Sequence, residues 1–352
     1  MIDEGRLERS PRWLGAALGL ALAAGTVWAG DEAVVLMYHR FGEDAHPATN
    51  VRLEQFESHL DHLASNGYTV VPLADVVAAV RGEGALPERA VAITIDDAFR
   101  SVYREAYPRL EARGFPFTVF VATDLVDSGR STYMTWEQMR EMEAGGATFA
   151  NHGGQHLSFV RRPGVASEID RRVRVQSDIE HAERRLAAEL HPLEGVLAYP
   201  FGDYDTSVAE LVSELGYVAF GQHSGAVGPT SDPRALPRYF MAEEFAGTDD
   251  FALKVATRPL PVASVTPWSP VTSSQRPRLE VTLAPTDARL DRLTCFAGGQ
   301  GEAIVQWLEP GRRFAVVPRA ELAPGRARVN CTAPTATGDR FHWFSHPWIV
   351  VR

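Results

Sequence analysis

The sequence predicts an α/β protein followed by a small all-β, sandwich-like unit, and three observations carry that prediction. Short apolar runs alternate with stretches of helical period from about 33 to 258. A segment dense in Pro, Ser and Thr follows at 259–276, where no apolar period is visible and a linker is expected. From 277 to 352 the period becomes that of strands separated by Gly and Pro turns. With 352 residues and 45% apolar content the chain can bury a large core, and its length favours two domains.

The first element, 1–29, reads as a signal peptide or N-terminal anchor. Arg6, Arg9 and Arg12 precede an almost uninterrupted apolar run over 13–28, and Val27, Trp28 and Ala29 have the small-x-small pattern of a signal-peptidase site. A bilayer span takes roughly 20 apolar residues. The run is shorter, so cleavage after Ala29 is the preferred reading and an uncleaved anchor the alternative. Either way, the rest of the chain is expected to be exported, to the periplasm or the extracellular space.

Within 30–258, strands are expected at the apolar runs 34–38, 68–71, 91–95, 117–121, 147–150 and 196–199. Between them, Leu53, Phe56, Leu60 and Leu63 share one helical face, as do Phe99, Val102, Ala106 and Leu110. His59 and His62 fall on the polar side of the first of these helices and are expected in solvent. A longer helix is expected over 165–190, carrying Ile169, Val173, Ile179 and Leu186. Such βα units fit a closed barrel or an open doubly wound sheet. No Gly-rich phosphate loop follows a strand, which argues against nucleotide binding. In either architecture chemistry belongs at the carboxyl ends of the strands.

In the last unit Cys295 and Cys331 are the only cysteines, and in an oxidising compartment they are expected to pair. Trp307, Trp343, Phe344 and Trp348 fit a sandwich core better than a sugar-stacking surface. The formal net charge of −10 gives no reason to expect nucleic acid or anionic lipid as a partner. Membrane contact is expected only through an uncleaved N-terminal segment.

Four local features carry chemistry. The run 91–95 ends in Asp96-Asp97, two adjacent carboxylates that can diverge, one toward a metal and one left free as a base. After the run 147–150 comes His152-Gly153-Gly154-Gln155-His156, in which two glycines let a tight turn aim both imidazoles at one point. Together these features offer two His and one Asp, three protein ligands that leave positions open for water and substrate. The third is Tyr199-Pro200-Phe201-Gly202, a turn whose amides can point inward at a developing oxyanion. The fourth is His223, beyond another apolar run and able to protonate a leaving amine, with a surface loop histidine as the plain alternative. His39, at the end of the first strand, is a candidate for lining the same mouth.

These motifs resemble, in order, those of the polysaccharide deacetylase, or NodB-homology, family of carbohydrate esterases. The resemblance covers roughly 33–241 and implies a distorted (β/α) barrel. It further implies Asp96 as general base, Asp97, His152 and His156 as ligands of a divalent metal, usually Zn2+, the Phe201 amide at the oxyanion, and His223 as the late acid. His39, Tyr199 and Pro200 would contact substrate, an acetylated amino-sugar polysaccharide from which acetate is removed. The opening Met37-Tyr38-His39 and the Tyr-Pro-Phe-Gly turn look most like the branch that includes poly-N-acetylglucosamine deacetylases. Rival readings are an esterase or amidase on O-acetylated or small substrates, and a catalytically silent glycan-binding protein. Three departures stand out: Ala98 where the family has Gly, Gly221 where it has Leu two places before the late His, and Ala198 where it commonly places the Arg that orients the base. Some other group must then orient Asp96, and the sequence does not identify it.

Overall fold

The computed structural model describes residues 1, 29–160 and 167–351. Residues 2–28, where the signal peptide or anchor is expected, lie outside the described residues. Among those described, no helix is long and apolar enough to cross a membrane.

The first part of the chain is a distorted (β/α) barrel. Its strands β1 (Ala33–Tyr38), β2 (Ala90–Asp96), β3 (Phe117–Val121), β4 (Thr148–Asn151), β5 (Val196–Ala198) and β6 (Val218–Phe220) pair in parallel in the order β6-β5-β4-β3-β2-β1. A short strand β7 (Ala226–Val227) adds antiparallel to the outer side of β1. Parallel strands covered on both faces read as continuous apolar runs because neither face meets water, and every residue of β1 and β2 is buried. The sides differ in partners. Val34, Leu36 and Tyr38 pack toward the helices, whereas Val35, Ala92, Phe120, Ala150, Ala198 and Phe220 fill the interior. With a side-chain period of two, Thr94 and Asp96 continue the inward series of Ala92.

The segment 236–240 closes the barrel. Leu236 bridges Phe220 at one edge of the sheet, and β8 (Tyr239–Phe240) pairs in parallel with β1 at the other. Leu236 belongs to the interior and Tyr239 to the outer core, so Arg238, between them in register, faces inward.

The helix α1 (Leu53–Ser65) buries Phe56, Leu60 and Leu63, as its period requires. His59 departs from expectation and is fully buried. Tyr38 Oη lies 3.0 Å from its Nδ1, the Ala246 carbonyl 2.9 Å from its Nε2, and the Phe251 ring stacks on it at 4.0 Å, so all its polarity is used internally. The helix α2 (Glu168–Ala187) buries only part of its apolar residues. Ile169 and Val173 are exposed, while Arg171 is buried in line with Val175, Ile179, Ala182 and Leu186. Arg171 tolerates that position because its guanidinium bonds Glu168, Asp205 and the Phe159 carbonyl.

The C-terminal part is a two-sheet β unit. One sheet pairs β9 (Val262–Thr266), β10 (Leu279–Leu283), β12 (Ile304–Glu309) and β13 (Arg313–Val317) in the order β9-β10-β13-β12. The other centres on β11 (Thr294–Ala297), β14 (Gly325–Pro334) and β15 (Phe341–Val350). Residues 259–276, expected as a linker, are built into these sheets: β9 pairs with β10, and Val271–Thr272 pairs with β15. The reason is that Val262 and Val265 pack against the sandwich core, a contact too sparse to register as a period. Cys295 and Cys331 face each other across β11 and β14 and are disulfide-bonded. Trp348 is core, and Trp307 packs on Phe314. Trp343 instead turns toward the barrel, its ring 5.6 Å from that of Tyr239 and its Nε1–H donated to Ser224.

Candidate active site

At the carboxyl end of β2 the chain must turn away from the sheet, and it does so through left-handed backbone at Asp97 (φ 72°) and Ala98 (φ 53°). His156 (φ 52°) and Phe201 (φ 60°) share that region, so four of the five described non-glycine residues with positive φ surround one point. Such strain, about 1–3 kcal/mol per residue, persists only where the surroundings enforce it. Its effect here is to send Asp97 sideways while Asp96 continues inward. Ala98 thus occupies a conformation that glycine adopts more readily.

Asp97, His152 and His156 converge, each offering a ligand atom, all within 4.8 Å of one another. Asp97 Oδ1 lies 3.4 Å from His152 Nε2 and 3.0 Å from His156 Nε2. Asp97 Oδ1 and His152 Nε2 are buried and make no hydrogen bond. Sealed acceptors without partners are costly unless a ligand takes them up. One carboxylate and two imidazoles also form a donor set suited to a divalent transition metal. The residues therefore fit the metal that the family resemblance implies.

The turn that carries both histidines is held from behind. His152 Nδ1 lies 2.8 Å from the Ala198 carbonyl, which fixes the ring and leaves Nε2 for the site. Asn151 Oδ1 accepts from the Gly153 amide at 2.8 Å, and the Asp178 carboxylate of α2 accepts from the Gly154 and Gln155 amides at 3.0 and 3.1 Å. Burial would lower the His152 pKa, but Asp97 and Asp96 outweigh it and raise it. For Asp97 burial works upward and is overcome by His152 and His156, which hold the carboxyl well below its usual range.

Asp96 is completely buried and belongs to a different arrangement. Arg238, equally buried, grips it with two parallel bonds, Nη1 to Oδ1 at 2.7 Å and Nη2 to Oδ2 at 2.8 Å. The guanidinium also donates to Thr94 Oγ1 and to the Gly221 carbonyl, which leaves it no freedom to turn. Burial pushes the Asp96 carboxyl up, but Arg238, with His152 and His39, holds it below the ordinary range. Arg238 is the orienting group absent from position 198. Its only sequence trace is an arginine set among apolar residues in Leu236-Pro237-Arg238-Tyr239-Phe240.

His39 joins this cluster, its Nε2 3.9 Å from Asp96 Oδ2 and its ring edge-on to Phe240. Phe201 stands at the mouth, 37% exposed, with its ring 4.4 Å from that of His156. Tyr199 does not reach the mouth. It is fully buried and its hydroxyl donates to the Arg234 carbonyl, since strand parity at 199 points outward into the helix layer. Pro200 is buried as well, beside Gly153. His223 is buried. Among the described residues no hydrogen bond, ion pair or ring contact links it to Asp96, Asp97, His152 or His156. It lines a cavity of about 290 Å³ between the barrel and the sandwich, with Trp268, Trp343 and His346. Burial, with Arg328 and Arg238 nearby, lowers its pKa to about 4.

Residues 83–220 match the family model described as polysaccharide deacetylase. The poly-beta-1,6-N-acetyl-D-glucosamine N-deacetylase of Escherichia coli (strain K12) is 25% identical over 276 residues, 67% of this chain and 40% of that protein. The chain thus spans less than half the length of that relative. Among solved structures, IcaB from Ammonifex degensii is 26% identical with a TM-score of 0.56, covering 64% of this chain and 97% of that one. The deacetylase PplD of Streptococcus pyogenes, in complex with acetate, shares the fold with a TM-score of 0.57 at 22% identity, covering 64% of this chain and 98% of that one. With barrel, motifs and family model in agreement, the chain carries a polysaccharide deacetylase domain.

Proposed function

We propose that the chain hydrolyses N-acetyl groups of an amino-sugar polysaccharide, releasing acetate and leaving a free amine. The observation that carries this reading is a clamped, ionised carboxylate, Asp96, beside three converging ligand side chains. A purely structural metal site needs no second carboxylate held in place by a buried arginine, which sets aside the silent glycan-binding alternative. The similarity to named N-deacetylases favours acetamide over O-acetyl ester as the bond cleaved.

Asp97, His152 and His156 would hold a divalent cation, zinc being the metal their donor set suits best. Such a cation supplies Lewis acidity at the mouth and makes a nearby water more acidic. Asp96 accepts the proton of the attacking water and, as the conjugate acid so formed, returns it to the departing amine. Arg238 keeps the carboxylate oriented and ionised for the first of these steps. The Phe201 amide lies in the turn at the rim, where a donor can meet the developing oxyanion. The apolar run over 13–28 and the small-x-small pattern ending at Ala29 support export.

Asp96→Asn keeps the shape and removes the base. We expect acetate release from N-acetylglucosamine oligomers to fall by about 10²–10⁴-fold with metal content unchanged. Near-native turnover by that variant would overturn the assignment, and release from O-acetyl esters alone would favour the esterase reading.

A further inference from the structure

Strand β14 turns two faces to two neighbours. Val329 and Cys331 enter the sandwich core, so the alternate residues Arg326, Arg328 and Asn330 face the barrel. Two of the three are engaged. Arg326 pairs with Asp203 and lies 5.0 Å over the Phe201 ring at the candidate mouth. Asn330 Oδ1 accepts from Ser224 at 3.3 Å. Arg328 is not: among the described residues its guanidinium has no hydrogen bond and no carboxylate partner, although it is half-buried. Burial without a partner works against its charge.

Arg328 lines a cleft of about 590 Å³ between the two units, together with Phe240, Phe245, Lys254 and Arg326. Phe240, one wall of the cleft, also packs edge-on against His39 of the candidate site. The acid among its lining residues, Asp250, lies 4.0 Å from Lys254 Nζ and makes no ion pair with Arg328. In a chain of net charge −10 this is a local excess of positive charge beside the mouth. A desolvated guanidinium is retained at a cost unless something pairs with it, and its planar fork matches a carboxylate or a phosphate.

We infer that this cleft is a subsite for an anionic unit of the acetylated sugar chain, a sugar bearing a carboxylate or a phosphate, whose charge is taken by Arg328. The inference rests on the proposed function only in taking the ligand to be a sugar chain. It makes the substrate an acidic heteropolymer, with Phe240 and Phe245 offering apolar faces to neighbouring rings.

The test uses the full chain, stripped with a chelator so that no probe is consumed, and three oligomers of equal length. One is neutral, of N-acetylglucosamine alone; one alternates glucuronate with N-acetylglucosamine; one joins N-acetylglucosamine through phosphodiesters. A charge-assisted bidentate contact predicts at least about tenfold tighter binding of one acidic oligomer than of the neutral one. Whichever acidic oligomer shows the preference identifies the anion. Arg328→Gln should abolish it, and Arg328→Lys, which keeps the charge but not the fork, should retain only part of it. Equal affinities in the unaltered chain, or a preference that survives Arg328→Gln, would overturn the inference. Because Arg328 has no partner to lose, Arg328→Gln should melt no lower than the parent. A marked fall in Tm would show a structural role instead, and would also overturn the inference. Acetate release by the metal-loaded chain separates this inference from the proposed function. Preference without release counts against deacetylation alone, and release without preference counts against the subsite alone.

Discussion

At the scale of single residues, the account depends on how Asp96 and Arg238 hold each other. Their carboxylate and guanidinium are both fully buried, and removing one partner of such a pair leaves the other's charge stranded, at about 3–5 kcal/mol. Arg238→Gln should therefore lower stability by that order in a urea titration and reduce kcat/KM, since Asp96 loses its orientation. Adding Asp96→Asn to Arg238→Gln should recover part of the stability, because an amide needs no countercharge, but none of the activity. If Arg238→Gln melts like the parent and turns over normally, the pair has been misread. Much at this scale was legible in the sequence. Asp97, His152 and His156 announce themselves by residue type and spacing, and the structure brings them together. Arg238 does not, because it meets Asp96 across 142 residues of chain and belongs to no motif of its own. Tyr199 was misplaced for a local reason: at a strand's end one step in register exchanges mouth for core.

At the scale of elements, the metal-binding turn shows how backbone and support act together. Gly153 has φ +74°, and a Cβ there would come 2.6 Å from Asp178 Oδ2, the carboxylate that holds the turn from α2. Gly153→Ala should thus weaken metal binding without touching a ligand, by about 10–100-fold, the range seen when groups supporting a metal's ligands are removed. Isothermal titration with zinc checks this, and unchanged affinity would mean that Asp178 does not position the turn. The apolar runs of the strands were legible because parallel strands buried on both faces leave nothing polar to interrupt them. The start of α2 was not, since Arg171 occupies a core position that Glu168, the distant Asp205 and the Phe159 carbonyl together make tolerable. Likewise, His59 reads as solvated until Ala246, about 190 residues on, is seen to cover it.

At the scale of the whole molecule, burial of neutral histidines ties stability to pH. Burial comes first among the causes that lower the pKa of His59 to about 4, of His223 to about 4 and of His346 to about 3. Ala246 opposes the shift at His59, while Lys254 and His62 reinforce it. For each of these groups the unfolded chain binds a proton near pH 6.5 that the folded chain refuses until about pH 4 or below. Their contribution is therefore complete above pH 6.5 and is lost as pH falls toward 4, by up to about 1.4 kcal/mol per pH unit for each group. His152, whose pKa is raised, opposes only one of the three. Tm should fall steadily between pH 6.5 and 4, and a flat profile there would contradict the burial of these rings. His223 and His346 lie at the junction of barrel and sandwich, so the same titration reports on that interface. That interface was the least legible part of the chain, because it joins residues from opposite ends of the sequence, such as Asp203 with Arg326 and Ser224 with Trp343.

The central claim is that Asp97, His152 and His156 grip one divalent cation while Asp96 stays free of it. Metal content of the purified chain and its variants, by elemental analysis after zinc loading and desalting, tests this directly. The account predicts one zinc per chain in the parent and in Asp96→Asn, and almost none in His152→Ala or His156→Ala. Equal zinc in all four, or its loss with Asp96→Asn, would contradict it.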